Sequence, residues 1–211
     1  MRPTLGTTGH TQPESGHAAA DGDDGETLLL ERAKRGDLDA YGQLVEPHRD
    51  VVFRVAARVV GPDDAEDVTQ DALLRAFSRL DSFRGTGTFR AWLLTITHRA
   101  ALNTLARRRP EPHGSAEDVE SVSPAQPEDR REPVSTLEER ERRRRLEVKL
   151  RELKIEHRTV LVLRDLEGLP YEDIATVTGS PLGTVKGRLS RARDELIHIL
   201  RTNTYDWELP R

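Results

Sequence analysis

The chain contains no cysteine, which excludes disulfides, thiolate zinc sites and thiol redox sensing within it. Aromatic residues make up only 4% of its 211 residues, whereas a third are charged, a balance that suits helical bundles rather than sheets. No apolar run approaches the roughly 18 residues needed to span a bilayer, so membrane insertion is not expected. The N-terminus lacks the charged-then-apolar pattern of a secretory signal, and a cytoplasmic protein is the default expectation. Net charge is −4, so the chain is not a polycation, and any affinity for nucleic acid must come from local basic patches. No cysteine nucleophile, histidine–carboxylate metal spacing or phosphate loop is visible. An enzyme is therefore not expected, nor a cofactor or a metal site. His10 and His17 lie apart in a polar N-terminal stretch and read as solvated rather than as ligands.

What the chain does have is a helix-turn-helix pattern over residues 169–196. Residues 171–178 form a short first helix with Ile174, Ala175 and Val177 inward, and Gly179 supplies the turn. Ser180 can cap the second helix, with Pro181 at its first position, where a missing N–H costs nothing. Leu182, Val185, Leu189, Ala192, Leu196 and Ile199 recur at helical spacing and predict a continuous buried stripe. The opposite face carries Gly183, Thr184, Gly187, Ser190 and Arg191, flanked by Lys186, Arg188 and Arg193. This is the geometry that places a second helix in the DNA major groove. The flanking cations would meet phosphates, and Thr184 or Arg191 base edges. A solvated basic face is the plainer alternative. Two exposed glycines argue against it, since each costs about 1 kcal/mol of helix stability relative to alanine. The spacing from Gly179 to Lys186 does not make a phosphate-binding loop, because Lys186 does not directly follow Gly183 and no Ser or Thr follows it.

The rest of the chain divides by composition. Residues 1–25 are poor in large apolar groups and are expected to be disordered. Residues 26–109 read as helical throughout. A first helix holds Leu28, Leu29, Leu30 and Ala33 and stops at Gly36. Asp37 can cap a second, which Pro47 can bend or interrupt before Gly61-Pro62 ends it. A third opens at Pro62-Asp63-Asp64, with a buried stripe of Ala65, Val68, Ala72, Leu73, Ala76, Phe77 and Leu80. Leu74 falls across the wheel beside Asp67, Gln70, Asp71 and Ser78. Such a leucine is either an ordinary exposed residue or the centre of a docking patch. A loop over residues 81–88 leads into a helix with apolar groups on two sides: Phe89, Trp92, Leu93, Ile96 and Ala100 on one, Leu94, Ala101 and Leu105 on the other. Its end, Arg107-Arg108-Arg109, near Phe83 and Phe89, suits single-stranded nucleic acid, or merely complements the helix dipole. Residues 110–135 shift to Pro, Ser, Glu and Asp and read as an acidic flexible linker. Residues 136–201 form a second helical domain. Residues 202–211 are a tail in which Tyr205, Trp207 and Leu209 either fold back or meet a partner. The fold class expected is all-α, with two small helical domains on a flexible tether.

Taken in order, D-A-E-D-V-T-Q-D-A-L-L-R-A-F (64–77), F-R-G-T-G-T-F-R-A-W-L (83–93) and V-L-V-L-R-D-L-E-G-L-P-Y-E-D-I-A…G-T-V-K-G-R-L-S-R-A-R (160–193) resemble sigma factors of bacterial RNA polymerase, of the sigma-70 family and its extracytoplasmic-function (ECF) group. The resemblance covers about residues 26–201, the linker only in character. It implies a factor that directs promoter recognition, DNA melting and transcription initiation, of stress-response genes in particular. Asp67, Gln70, Asp71, Leu74 and Arg75 would dock on the clamp helices of core RNA polymerase, with the polymerase flap as a further contact. Phe83, Arg84, Thr88, Arg90, Trp92, His98, Arg99, Asn103 and Arg107 would serve the single strand of the −10 element. Thr184, Lys186, Gly187, Arg188, Ser190, Arg191 and Arg193 would read the −35 duplex. The linker would run toward the polymerase active centre, and an anti-sigma factor would hold the protein inactive.

Two positions depart from the family pattern. His98-Arg99 stands where many relatives have Arg-Asn, and Arg99 cannot accept the hydrogen bond that the asparagine would. Gly187 stands where relatives commonly have serine. A stand-alone DNA-binding regulator would explain the second domain but leave Leu74 and residues 64–77 without a task.

Overall fold

The computed structural model describes residues 20–108 and 137–202. The start of the chain, the acidic linker and the final tail with Tyr205, Trp207 and Leu209 lie outside the described residues. Every described element is a helix or helical turn, and no strand occurs among the described residues. By contacts the chain divides into two compact units, Met1–Leu44 and Val45–Arg211.

In the first unit, helix α1 (Ala20–Lys34) starts inside the stretch expected to be disordered, where the acidic sequence suits a helix N-terminus. It stops before Gly36, whose φ of 90° is costly for other residues. Asp37 then caps α2 (Leu38–Val60): its carboxylate accepts the Ala40 N–H at 3.0 Å and the Arg32 Nε–H at 3.0 Å. Those two bonds, the backbone one foremost, hold the Asp37 carboxyl below the usual range.

The second unit takes in most of α2. That helix runs unbroken through Pro47, with Val45, Val51 and Val52 buried on either side of it. Gly61, at φ 98°, turns the chain into α3 (Pro62–Ser78), and Pro62 fills a position that needs no donor. Ala65, Val68, Ala72 and Ala76 of α3 are buried as expected, while Leu73 and Phe77 are only half-buried. Thr69 joins them inside because its hydroxyl donates to the Ala65 carbonyl at 2.7 Å, which leaves no polar group unpaired. A 3-10 turn (Leu80–Ser82) precedes α4 (Phe89–Arg108), which packs along α3. Phe89, Leu93, Ile96 and Ala100 are buried on one side of α4, Leu94 and Ala101 on the other, as its two apolar faces predicted. Full burial of each such leucine stabilises the fold by about 1.5–3 kcal/mol.

The later helices are α5 (Leu137–Glu152), α6 (Ile155–Leu161), α7 (Tyr171–Thr178) and α8 (Leu182–Thr202). A wide turn, Val162–Leu166, extends α6, with the Glu167 N–H bonded to the Val162 carbonyl at 3.0 Å. Gly179 ends α7 in the left-handed region (φ 62°), and α8 follows. Val185, Leu189 and Ala192 are buried as the stripe predicted. Leu182 is exposed instead, and Leu196 and Ile199 are half-buried. Leu182 is the first residue of α8, and Leu196 borders an open apolar groove lined by Leu146, Leu150, Leu161 and Leu166. Ser180 does not cap α8 as expected. Its Oγ donates toward the Thr178 carbonyl and accepts from Arg188 Nη1 at 2.9 Å. Finally, α4 packs against α7, so the two helical bodies share one compact unit.

Candidate nucleic-acid interface

The face of α8 expected to read duplex DNA stands mostly in solvent. Lys186, Ser190, Arg191 and Arg193 are exposed, and Thr184, Gly187 and Arg188 are half-buried. Lys186 lies over the Tyr171 ring at 5.6 Å, with Arg164 over the same ring at 4.6 Å. Arg191 folds back so that its Nε–H meets the Gly187 carbonyl at 3.2 Å. A Cβ at Gly187 would lie 3.2 Å from Arg191 Nη2, so the missing side chain is what lets Arg191 lie there. At Gly183 a Cβ would meet open space. Arg193 is the one cation of this set in a bidentate pair, with Asp165 at 2.6 and 2.9 Å. Arg188 points the other way, toward Ser180 and a pocket of about 220 Å³ that His98, Thr159 and Glu156 also line.

Residues expected to meet the unpaired strand fall into three groups. Arg84, Arg99, Asn103 and Arg107 are exposed. Phe83, 7% exposed, is buried in an aromatic cluster: its ring lies 5.5 Å from Phe89, edge-on, and 5.5 Å from Trp92. Phe89 also meets His48 at 5.6 Å. Trp92, half-buried, is thus the edge of the cluster, with Phe83 and Phe89 as its support. Thr88 is exposed yet structural, since its hydroxyl accepts the Ala91 N–H at 3.1 Å and caps α4. The third group turns inward. His98 is 8% exposed, and its Nδ1 has no protein partner among the described residues. Burial, helped by the Arg99 and Arg188 charges, pushes its pKa down to about 4. Arg90 Nη2 donates to the Glu167 carbonyl at 3.0 Å.

Glu167 was not visible as a site residue in the sequence. Its side chain is 2% exposed and accepts Arg54 in a fork, at 3.1 and 2.9 Å, and Arg58 Nη1 at 2.5 Å. The partners are 113 and 109 residues away, so no local pattern announces the contact.

On α3, Leu74 is 69% exposed, as its place on the wheel predicted. Asp67 and Gln70 are exposed beside it. Arg75 bonds Asp71 at 2.7 Å and Gln70 bonds Glu66 at 3.0 Å, which fixes the polar rim. No group of residues able to hold a metal ion occurs among the described residues, and no described helix is long and apolar enough to cross a membrane.

Residues 44–111 match the family Sigma-70 region 2, and residues 143–196 match Sigma-70, region 4. The chain is 36% identical over 178 residues to the RNA polymerase sigma-H factor of Pseudomonas aeruginosa, covering 82% of this chain and 92% of that protein. It is 33% identical over 175 residues to the ECF RNA polymerase sigma-E factor of Escherichia coli K12, covering 80% and 91%. Among solved structures it is similar to CnrH in complex with the cytosolic domain of CnrY (TM-score 0.62, 29% identity, 86% of this chain and 100% of that one). It is also similar to the sigma factor RpoE in complex with the anti-sigma factor NepR from Bartonella quintana (TM-score 0.61, 27% identity, 77% and 98%). Two matched regions in the expected order, and two relatives aligned over most of their length, lead to one conclusion: the chain belongs to the ECF sigma factors of the sigma-70 family, which are transcription initiation factors and not enzymes.

Proposed function

We propose that the protein binds core RNA polymerase through the Leu74 patch of α3 and brings it to promoters whose −35 duplex α8 reads. Residues 26–109 act as the docking and strand-separating domain, 110–135 as the acidic linker and 136–201 as the duplex-reading domain. The observation that carries this reading is Leu74 itself: a large apolar side chain 69% exposed within a fixed polar rim, the anatomy of an interface anchor. At the other end, α8 offers exposed Lys186, Ser190 and Arg191 with small residues between them, so that a helix can approach a groove closely. On α4, Trp92 stacks an unpaired base, and Arg99, Asn103 and Arg107, with Arg84 from the preceding loop, contact the strand. Melting draws its free energy from binding that strand and needs no nucleotide hydrolysis. Control by an anti-sigma factor is supported by the similar structure of the sigma factor RpoE in complex with the anti-sigma factor NepR. Stress-response genes are the proposed targets.

Pull-down with purified core polymerase, followed by promoter-directed RNA synthesis, tests the reading. Wild type binds core. Leu74→Asp loses about 30-fold in affinity, roughly the 2 kcal/mol of an interface hot spot. Its folding stability stays within about 0.5 kcal/mol, because the side chain is exposed. A wild-type protein that binds promoter DNA but never core would instead make it a stand-alone regulator.

A further inference from the structure

Glu167 lies in the loop between the wide turn and α7, in the duplex-reading body. The arginines that meet it come from the other body, Arg54 and Arg58 from α2 and Arg90 from α4. A carboxylate that is 2% exposed persists only when cations and donors compensate it, and here both carboxylate oxygens are engaged. The seam continues beyond it. Arg158 Nη1 of α6 donates to the Val59 carbonyl of α2 at 3.2 Å, and α4 packs along α7. His98 of α4 faces Arg188 across the pocket that α6, α7 and α8 share.

From this juxtaposition we propose that Glu167 is an intramolecular latch. With Arg54, Arg58 and Arg90 it holds the duplex-reading body closed on the strand-separating body in the free protein, and promoter engagement requires it to open. The inference rests on the function proposed above for its consequence, though not for its test. Two elements centred about 25 base pairs apart are separated by roughly 85 Å at 3.4 Å per base pair. Two bodies packed together through α4 and α7 cannot occupy both. Closure also withdraws Arg90 and His98 from the strand-binding surface while leaving Leu74 and the exposed cations of α8 accessible. Phosphates of the unpaired strand then compete with Glu167 for Arg90, so the strand itself favours the open form.

The absence of native cysteine allows a clean test. Asp63→Cys on α3 and His198→Cys on α8, both exposed positions, take a pair of spin labels, and pulsed dipolar spectroscopy reads the distance between the bodies. The labelled parent should give one narrow distance at neutral pH. Glu167→Gln should add a broad, longer component, with the closed-to-open ratio falling on the order of tenfold or more. Arg58→Gln should shift it the same way by less, and circular dichroism should show both variants still helical. A broad distribution in the parent, or distributions in both variants that match the parent, would overturn the latch. Neither polymerase nor DNA enters the measurement, so the result stands apart from the docking experiment.

Discussion

Helices α4 and α8 invite comparison because the sequence assigns nucleic acid to both, yet they sit differently. On α8 the inward residues are aliphatic and the outward ones small or cationic, so the core and the candidate contact surface occupy opposite sides. On α4 apolar groups occupy two sides, and polar residues at the remaining positions face either solvent or the neighbouring body. Arg99, Asn103 and Arg107 face outward, whereas Arg90 and His98 are drawn into the seam with α7. A helix buried on two sides has few positions to spare, and some of them serve domain packing. The difference teaches that the two proposed DNA surfaces are not equally available: the one on α8 is open in this state, and part of the one on α4 is not.

The largest expected effect that would sharpen this contrast is a pH dependence at the seam. Burial favours the neutral His98 ring and lowers its pKa from 6.5 to about 4. Arg99 and Arg188 oppose its protonation, while Glu156 in the same pocket is the nearby acid. Above pH 6.5 the ring is neutral in both packed and unpacked states, so stability is at its plateau. Between pH 6.5 and about 4 the unpacked state takes up the proton first, and stability falls by about 1.4 kcal/mol per pH unit. Denaturant titrations across that range should show the slope, and His98→Leu should flatten it. A slope unchanged in His98→Leu would place the titration elsewhere.

Next in size are substitutions on α8, which should leave the seam intact. Arg191→Ala should cost about 1–3 kcal/mol in duplex affinity and relax preference at one base position, measured by competition among site variants. Lys186→Ala should weaken all sequences alike and reduce the slope of log affinity against log salt by about 1. If Arg191→Ala lowered affinity uniformly, Arg191 would be a phosphate contact and the division of labour on this face would need redrawing.

The smallest effect concerns Gly187. Gly187→Ala should stabilise α8 by roughly 0.5–1 kcal/mol, since only the movable end of Arg191 stands in the way of a methyl group. The same change should displace Arg191 from the Gly187 carbonyl and alter duplex binding. Thermal melting and a DNA titration on the same sample separate the two outcomes.

Much of the architecture was legible beforehand because it is local. Helical spacing placed most of the buried residues of α3, α4 and α8, Asp37 marked the start of α2, and Gly179 marked the turn before α8. The exposure of Leu74 followed from its angle on the helical wheel. Other details depended on neighbours. Phe83, a candidate for base stacking, became a supporting ring because Phe89 and Trp92 enclose it. Ser180 lost its capping role because Arg188 engages its hydroxyl.

Periodicity and caps are written into each segment, so the chain by itself determined that residues 26–108 and 137–201 are mainly helical, most of the residues those helices bury and which helix presents a basic face. It could not say that α4 packs on α7, or that Glu167 would be buried among Arg54, Arg58 and Arg90. A salt bridge between residues more than a hundred positions apart leaves no mark on either local pattern. It exists only once desolvation and charge pairing are balanced in the folded molecule.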